Sequence, residues 1–361
     1  MKRYDGIRLS ALFAAVCLAG AFPALAQRSS FSVGPITAQA GARASGFLEI
    51  VAVKGRDEGT KIPVTVIHGA GSGPVLGLVA GTHGYEYSPI VAMQRFPAKV
   101  DARQLAGTII IVHVANMPSF HGRTIYYSPV DGKNLNRVYP GKKDGTISER
   151  IAEAITREVI DRSDYVVDLH CGDGNEALRP YSYWMTSGTP EVNAKSKEMV
   201  LAFGLDVIVI DRERSSDPAQ SVYTANTAIT RGKPAITTET GGMGRVDTNG
   251  ADLAEAGVFN LLRHFKMLSG EPKRVTQPKW IGKSEVLRAA QTGIFHAAVK
   301  PDESVKEGTV IGRLTDYFGN TLQEIRAPFS GIMLYVVATP PVMQGEPLGM
   351  VGQITPGGGS D

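Results

Sequence analysis

The sequence predicts an α/β protein in which a mixed sheet is flanked by helices and followed by a small, all-β C-terminal domain. From about residue 47, short apolar runs alternate with amphipathic stretches, which is typical of α/β folds. Beyond residue 280 the helical pattern stops, and short strands are separated by closely spaced glycines, as in a small barrel or sandwich.

Five apolar runs are predicted as buried strands. Near-continuous apolar runs of this length fit a parallel or mixed sheet that is covered on both faces. The predicted strands are residues 74–80, 108–114, 165–169, 205–210 and 235–238. Two helices are predicted between or after them: 148–160, with Ser148 as its cap, and 253–268, with apolar residues at helical spacing.

The chain is predicted to have a main domain at 47–272 and a C-terminal β domain at 280–355, with a charged, proline-containing linker between them. The runs VKEGTVIGRL and IRAPFSGIML are typical of the two halves of a barrel-sandwich hybrid domain. The turn between them has no lysine motif of the kind that carries lipoate or biotin. Residues 27–46 are small and polar and are predicted to form an N-terminal tail.

The first 26 residues have the pattern of a cleaved signal peptide. The basic start MKRYDGIR precedes an apolar core at 9–22, and the ending PALAQ places a cleavage site after Ala26. A transmembrane anchor is the alternative, but the apolar run is shorter than the roughly 20 residues that a span needs. We therefore expect a secreted protein, exported to the periplasm of a bacterium. Cleavage would remove Cys17 and leave Cys171, which excludes an internal disulfide.

The charge balance gives no reason to expect a nucleic-acid partner or stable membrane insertion after cleavage. The 361 residues include 38 basic and 35 acidic side chains, a net charge of +3. No dense run of Lys and Arg suggests a polyanion or a membrane surface.

The motif GTHGYE places His83 and Glu86 three residues apart on the turn that leaves a predicted strand. Both side chains can bind one cation from this position, although a surface loop with a capping Glu86 is the alternative. His170 follows another predicted strand, where it can be either a metal ligand or a hydrogen-bonded core residue. A catalytic zinc site needs three protein ligands and an open fourth position, and His83, Glu86 and His170 make such a set. If the strand continues through Cys171, its side chain faces away from that of His170, so we do not expect it to bind the metal.

The motif TTETGG places Glu239 at a third strand end. It is either a solvated loop residue or a general base that takes a proton from the attacking water and returns it to the leaving amine. His83, His170 and Glu239 all follow apolar strands, and open α/β sheets build their ligand sites at the carboxyl ends of strands. The sequence therefore predicts one zinc site per chain at this edge of the sheet.

Two arginines complete the predicted site. Arg137 with Asn136 suits a substrate carboxylate, because a guanidinium group binds carboxylates through two hydrogen bonds. Arg123 is predicted to stabilise the developing oxyanion beside the metal. Both are surface arginines in the alternative interpretation.

The motifs GTHGYE, NLNRVYPG, DLHCG and TETGG resemble, in order and spacing, those of the succinylglutamate desuccinylase/aspartoacylase family. That family is a branch of the zinc carboxypeptidase-like fold, and the resemblance covers about residues 60–350. It implies a zinc-dependent catalytic domain at 47–272, with a C-terminal domain that packs over the cleft. The implied roles are zinc binding by His83, Glu86 and His170, general base catalysis by Glu239, oxyanion stabilisation by Arg123, and substrate binding by Asn136 and Arg137.

Two positions depart from the family pattern. Asn134 stands where an Asp often supports a zinc-binding histidine, and Tyr85 stands where relatives often have Asn or Asp. The predicted function is hydrolysis of the amide bond of small N-acylated amino acids or related amides. A periplasmic metallocarboxypeptidase that acts on peptides and a binding protein without catalysis are the alternatives. The acyl group, the amine released, the oligomeric state and the roles of Cys171 and Tyr85 stay open.

Overall fold

The structure, a computed structural model, describes Met1 and residues 28–355, so nearly all of the predicted signal peptide lies outside the described residues. Within the described part, no helix is long and apolar enough to cross a membrane. The strands there are β1 (Phe31–Val33), β2 (Ile36–Ala38), β3 (Ala42–Ile50), β4 (Thr60–His68), β5 (Gly71–Ala80), β6 (Ala106–Val112), β7 (Tyr165–His170), β8 (Glu176–Leu178), β9 (Tyr181–Met185), β10 (Val207–Asp211), β11 (Ala235–Glu239), β12 (Lys279–Arg288), β13 (Gly293–Ala297), β14 (Ser304–Val305), β15 (Val310–Thr315), β16 (Thr321–Arg326), β17 (Gly331–Val337), β18 (Pro341–Val342) and β19 (Pro347–Thr355). The α-helices are α1 (Tyr87–Arg95), α2 (Met117–Gly122), α3 (Ile147–Ile155), α4 (Pro190–Phe203), α5 (Thr224–Ile229) and α6 (Thr248–His264).

A mixed sheet of 13 strands forms the centre of the fold. Its order is β3-β4-β6-β5-β7-β11-β9-β10-β12-β19-β17-β14, and β8 also pairs with β17. Strands β6, β5, β7 and β11 run parallel to their neighbours in this series, whereas β9 pairs antiparallel with β11. The predicted mixed sheet is confirmed, and each of the five predicted strands lies in it with small shifts at its ends.

Helices cover both faces of the sheet. Along β5, Leu76 and Leu78 pack into one hydrophobic core, whereas Val79 packs into another. This follows from the alternation of side chains across a strand. Residues of α1, α4 and α6 build the first core, and residues of α3 and α5 build the second.

The N-cap of helix α3 lies two residues earlier than the sequence analysis placed it. Thr146 is the N-cap, and Glu149 completes a capping box by accepting a hydrogen bond from the Thr146 backbone N–H at 2.8 Å. Ser148 instead donates to Asp131. The helix then continues through a π-helical turn at Thr156–Ile160.

The predicted N-terminal tail at 27–46 is wrong, because most of it belongs to the fold. Strands β1 and β2 form a hairpin, and β3 pairs with β4 over its full length, from Ala42 opposite His68 to Ile50 opposite Thr60. The side chains of β3 alternate between more buried and exposed positions. Small residues such as Ala, Ser and Gly carry much of this pattern, so the strand has little of the β-branched and aromatic character that marks a strand in a sequence.

The C-terminal region is antiparallel β structure, as predicted, but it is continuous with the main sheet. Strand β12 pairs parallel with β10 and antiparallel with β19, and thereby joins the two regions. Strands β13, β15, β16 and β18 form a separate four-stranded sheet. Strand β17 reaches back to pair with β8, which brings C-terminal residues close to the ends of β7 and β11.

Candidate active site

Parallel pairing brings the predicted site residues together at one edge of the sheet. Ala80, the last residue of β5, lies opposite Leu169 of β7, and His170 lies opposite Glu239 of β11. The carboxyl ends of the three strands therefore coincide, as the sequence analysis predicted. Gly81 then turns the chain with a φ of 70° and lies so close to the Val114 backbone that a Cβ atom would be 2.9 Å from its Cα.

His83, Glu86 and His170 form a buried cluster whose potential ligand atoms all lie within 4.8 Å of one another. Oε1 of Glu86 lies 2.7 Å from Nδ1 of His83 and 3.0 Å from Nδ1 of His170. Oε2 of Glu86 is buried and has no hydrogen-bond partner among the described residues. Two imidazole nitrogens and a carboxylate aimed at one point fit a divalent cation such as zinc. Burial would raise the pKa of Glu86, but the imidazoles of His170 and His83 lower it to about 2.

The far side of each imidazole is held by an oxygen atom. Asn134 Oδ1 accepts a hydrogen bond from Nε2 of His83 at 3.1 Å, and Asp168 Oδ2 lies 2.9 Å from Nε2 of His170. Burial would lower the pKa of His170, but Asp168 and Glu86 raise it well above its usual range. Such contacts fix the ring orientation and leave Nδ1 free to bind a metal. Asp168 was not predicted to take part in the site. It precedes His170 by two residues on the same strand, so the two side chains lie on the same face of the sheet.

Glu239 ends β11 beside the cluster and lines the same cavity. Burial raises the pKa of Glu239 well above its usual range; His170 opposes this rise and Glu86 adds to it. A carboxylate in this position can accept a proton from a water molecule at the cluster and return it to a leaving group. The structure thus places Glu239 beside the cluster, and its role as a base stays a prediction.

Arg137 lies at the open end of the cavity, where its guanidinium group contacts an aromatic ring. Its Cζ atom is 4.5 Å from the centre of the Tyr223 ring, and its Nη1 donates to the Asn136 carbonyl at 2.7 Å. Arg214 also contacts Tyr223, at 3.8 Å, and pairs with Asp211 at 2.5 Å. Arg214 and Tyr223 were not predicted, because the loop between β10 and α5 has no motif that marks them.

Asn136 is in the cavity wall, but its amide group already has protein partners. Its Oδ1 accepts hydrogen bonds from the backbone N–H and the hydroxyl of Thr224, at 2.9 and 3.1 Å. Its Nδ2 lies 3.4 Å from Asp168 Oδ2 and 3.2 Å from Nε2 of His170. These contacts give Asn136 a part in orienting the His170–Asp168 pair.

Arg123 does not line this cavity. It follows α2 in a left-handed conformation, with a φ of 50°, and its exposed side chain lines a separate groove beside Tyr87 and Phe120. The structure therefore does not support the oxyanion role predicted for Arg123. Tyr126, three residues later, does line the cavity, where its ring meets that of His83 edge-on at 6.0 Å. The loop is irregular, so its side chains do not alternate with a regular period, and the sequence does not show which of them face the cavity.

The cavity has a volume of about 180 Å³. It is closed on one side by Glu176 and Leu178 of β8 and by Tyr335 of β17, so the C-terminal region contributes to its wall. Its aromatic residues are Tyr126, Tyr181, Tyr183, Tyr223 and Tyr335. The enclosure leaves space for a small, polar substrate.

The profile of the succinylglutamate desuccinylase/aspartoacylase catalytic domain matches residues 72–265, which contain the cluster, Glu239 and both arginines of the cavity. The chain belongs to this family. It is 31% identical over 301 residues to N-alpha-acetyl-L-2,4-diaminobutyric acid deacetylase of Halomonas elongata, an alignment that covers 81% of this chain and 86% of the relative. The predicted family membership is therefore confirmed.

Solved structures of family members share the fold over nearly the whole chain. The ectoine utilization protein EutE (DoeB) of Ruegeria pomeroyi, in a product-bound structure, has a TM-score of 0.77 at 26% identity, covering 86% of this chain and 95% of that chain. An aspartoacylase family protein from Mesorhizobium loti has a TM-score of 0.73 at 28% identity, covering 87% and 95%. The aspartoacylase-type fold and a family of amide-bond deacylases are therefore shown.

The two departures from the family pattern have different consequences. Asn134 occupies the position of the supporting Asp and makes the same contact to His83, but without a negative charge. Tyr85 lies outside the cavity and packs against Gly174 and Gly244, where added Cβ atoms would be 2.8 and 2.9 Å from its ring.

Cys171 lines the cavity but is not part of the metal-binding cluster, and its Sγ donates to the Gly172 carbonyl at 3.3 Å.

Proposed function

We propose that this protein is a zinc-dependent hydrolase that cleaves the amide bond of small N-acylated amino acids. The observation that carries the proposal is one small cavity that is lined by a His₂Glu cluster, by the carboxylate of Glu239 and by the guanidinium group of Arg137. Zinc is favoured by the donor set and by the unpartnered Oε2 of Glu86. We propose one zinc ion per chain, bound by His83, Glu86 and His170.

When bound there, zinc would polarise the substrate carbonyl and lower the pKa of the attacking water. Glu239 accepts the proton of that water and passes it to the leaving nitrogen as the C–N bond breaks. Arg137 binds the substrate carboxylate and thereby fixes which amide carbonyl meets the metal. Asn134 and Asp168 hold the two imidazoles in the orientation that the metal requires.

The size of the cavity favours small substrates over peptides. Pockets for drug-sized ligands are commonly about 300–1,000 Å³, whereas this cavity has about 180 Å³ and is walled by Tyr335. A metallocarboxypeptidase needs room for a peptide chain on the acyl side of the scissile bond. A binding protein without catalysis would have no need of Glu239 beside a complete ligand set.

The relatives point to acetylated amino acids as the first compounds to test, because the Halomonas relative is named for removal of an acetyl group.

We also propose that the enzyme acts after export to the periplasm. That part rests on the signal-peptide pattern of residues 1–26. An exported deacylase would act on acylated amino acids that reach the periplasm.

The test is hydrolysis by the zinc-loaded mature protein of N-acetyl and N-succinyl amino acids and of short peptides with a free carboxyl end. Wild type is compared with Glu239→Gln and with Glu285→Gln, the same substitution at an exposed residue of β12. We expect N-acyl amino acids to be hydrolysed by wild type and Glu285→Gln, and not by Glu239→Gln. Cleavage of peptides alone would establish the carboxypeptidase instead, and full activity of Glu239→Gln would exclude its role as base.

A further inference from the structure

We propose that Glu176 binds a positively charged group on the substrate side chain, so that the preferred substrates are acylated amino acids with a second, free amine. The inference rests on the proposed deacylase function and assigns its substrate class. Glu176 is the first residue of β8 and faces the cavity, as does Leu178 two residues later, whereas Ala177 packs into the C-terminal core.

The Glu176 carboxylate is held in place at both oxygens. The Tyr126 hydroxyl donates to Oε1 at 2.7 Å, and the backbone N–H of Asp173 donates to Oε2 at 3.0 Å. Tyr126 itself has a φ of 57°, and its backbone N–H donates to Asp173 Oδ2 at 2.9 Å. A bulky residue in the left-handed region is uncommon, and such strain is concentrated at functional sites.

The Glu176 backbone is also fixed, by glycines of two of the motifs that define the active site. Its carbonyl accepts a hydrogen bond from the Met243 N–H at 3.0 Å. A Cβ atom at Gly172, in DLHCG, would lie 2.8 Å from that carbonyl oxygen, and one at Gly242, in TETGG, would lie 2.5 Å from it. The close approach therefore depends on glycine at both positions, and it sets Glu176 beside the metal-binding cluster.

No cationic side chain of the described residues donates a hydrogen bond to Glu176. Among the described residues, its hydrogen-bond donors are the neutral groups of Tyr126 and Asp173, while Arg214 pairs with Asp211 and Arg137 lies against Tyr223. Burial raises the pKa of Glu176, and the Tyr126 hydroxyl offsets only part of that rise. A carboxylate in such a place is costly unless a positive charge meets it.

A substrate ammonium group would supply this charge, because each carboxylate oxygen can accept a further hydrogen bond. The cavity then has one binding site for a negative charge and another for a positive charge. Arg137 binds the substrate carboxylate, Glu176 binds the side-chain ammonium, and the cluster and Glu239 act on the amide between them. Tyr126 is a positioning residue, because it acts through the orientation of Glu176.

The experiment compares substrates that differ by one charge at nearly constant shape. The zinc-loaded protein is given Nα-acetyl-2,4-diaminobutyrate, whose side chain ends in an ammonium group, and N-acetylnorvaline, in which a methyl group replaces it. N-acetylglutamate tests a negative charge. Wild type is compared with Glu176→Gln, Tyr126→Phe and the exposed control Glu285→Gln.

For wild type and Glu285→Gln we expect kcat/KM to favour the diaminobutyrate compound over the norvaline compound by about 10- to 100-fold, the range for one hydrogen bond to a charged group. Glu176→Gln should lose this preference, which is read as the ratio of the two kcat/KM values within each variant, so a change in its overall rate does not affect the comparison. Tyr126→Phe should retain part of the preference. Equal hydrolysis of both compounds by wild type, or an unchanged preference in Glu176→Gln, would overturn the inference while leaving the deacylase function intact.

Binding of the free amino acids 2,4-diaminobutyrate and norvaline, measured by calorimetry on the same zinc-loaded proteins, separates the two proposals. If no acylated amino acid is hydrolysed, the deacylase function fails, and Glu176 is still tested by this binding preference. Tighter binding of diaminobutyrate that disappears in Glu176→Gln supports the inference. Equal affinity for the two amino acids refutes it.

Discussion

Removal of the Asn134 side chain should weaken metal binding without touching the metal ligands. The Asn134→Ala substitution takes away the acceptor that lies 3.1 Å from Nε2 of His83. The ring is then free to turn, and its Nδ1 loses its fixed direction toward Glu86. Loss of such a support typically costs about 10- to 100-fold in metal affinity, or about 1.4–2.7 kcal/mol. We expect the zinc dissociation constant of Asn134→Ala to rise by this factor.

The assay is competition for zinc between the metal-free protein and a chromophoric chelator of known affinity. Asn134→Asp keeps the acceptor and adds a negative charge, so it should bind zinc at least as tightly as wild type. Asn134 Oδ1 also accepts from the backbone N–H of Asn136 at 2.9 Å, so thermal unfolding of the metal-free proteins is needed to separate lost stability from lost affinity. The exposed Asn249→Ala is the control. A dissociation constant of Asn134→Ala within twofold of wild type would refute the supporting role of Asn134.

Three further predictions concern the cavity mouth and two stabilising contacts. Arg137→Ala should raise KM for N-acyl amino acids by about 10- to 100-fold, because it removes charge-assisted hydrogen bonds to the carboxylate; an unchanged KM in steady-state kinetics would contradict this role. Glu149→Gln should cost about 1 kcal/mol of unfolding free energy at pH 7, because glutamine can keep the capping hydrogen bond but loses the charge that pairs with Lys133 and Lys142. The Thr146 backbone N–H and nearby lysines lower the pKa of Glu149 to about 2 from a usual value near 4.5, so the difference between variant and wild type in denaturant unfolding should shrink as the pH falls from about 5 toward 2. Arg150 Nη2 lies 2.6 Å from both Asp57 carboxylate oxygens. Asp57→Asn should cost about 3–5 kcal/mol of unfolding free energy, because it leaves the buried Arg150 cation without a counter-charge; a loss below 1 kcal/mol in denaturant unfolding would contradict this.

Much of the fold could be predicted because the strands near the site are apolar along their whole length. Strand β7 is an example, since the run YVVDLH is buried from Val166 to His170. The same apolar runs located His170 and Glu239, because a polar residue at the end of such a strand lies at the carboxyl edge of the sheet. Strand β3 was missed for the opposite reason: its alternation is carried largely by small residues, whose burial contributes little hydrophobic free energy.

The part of the site that comes from loops and from the C-terminal region was not predictable from local pattern. Arg123 has the charge that an oxyanion needs, but the loop after α2 turns it to the surface and brings Tyr126 inward. Tyr335 reaches the cavity through the pairing of β17 with β8, a contact between residues more than 150 positions apart. Such contacts depend on tertiary pairing, which no short motif encodes.

The most direct test of the account is titration of the metal-free mature protein with zinc, with hydrolysis of an N-acetyl amino acid measured at each addition. We expect activity to rise linearly and to reach its maximum at about one zinc per chain, and we expect His170→Ala, which lacks one proposed ligand, to stay inactive over the same range. Full activity of the metal-free protein, or a fully active His170→Ala, would contradict the proposed metal site and the mechanism built on it.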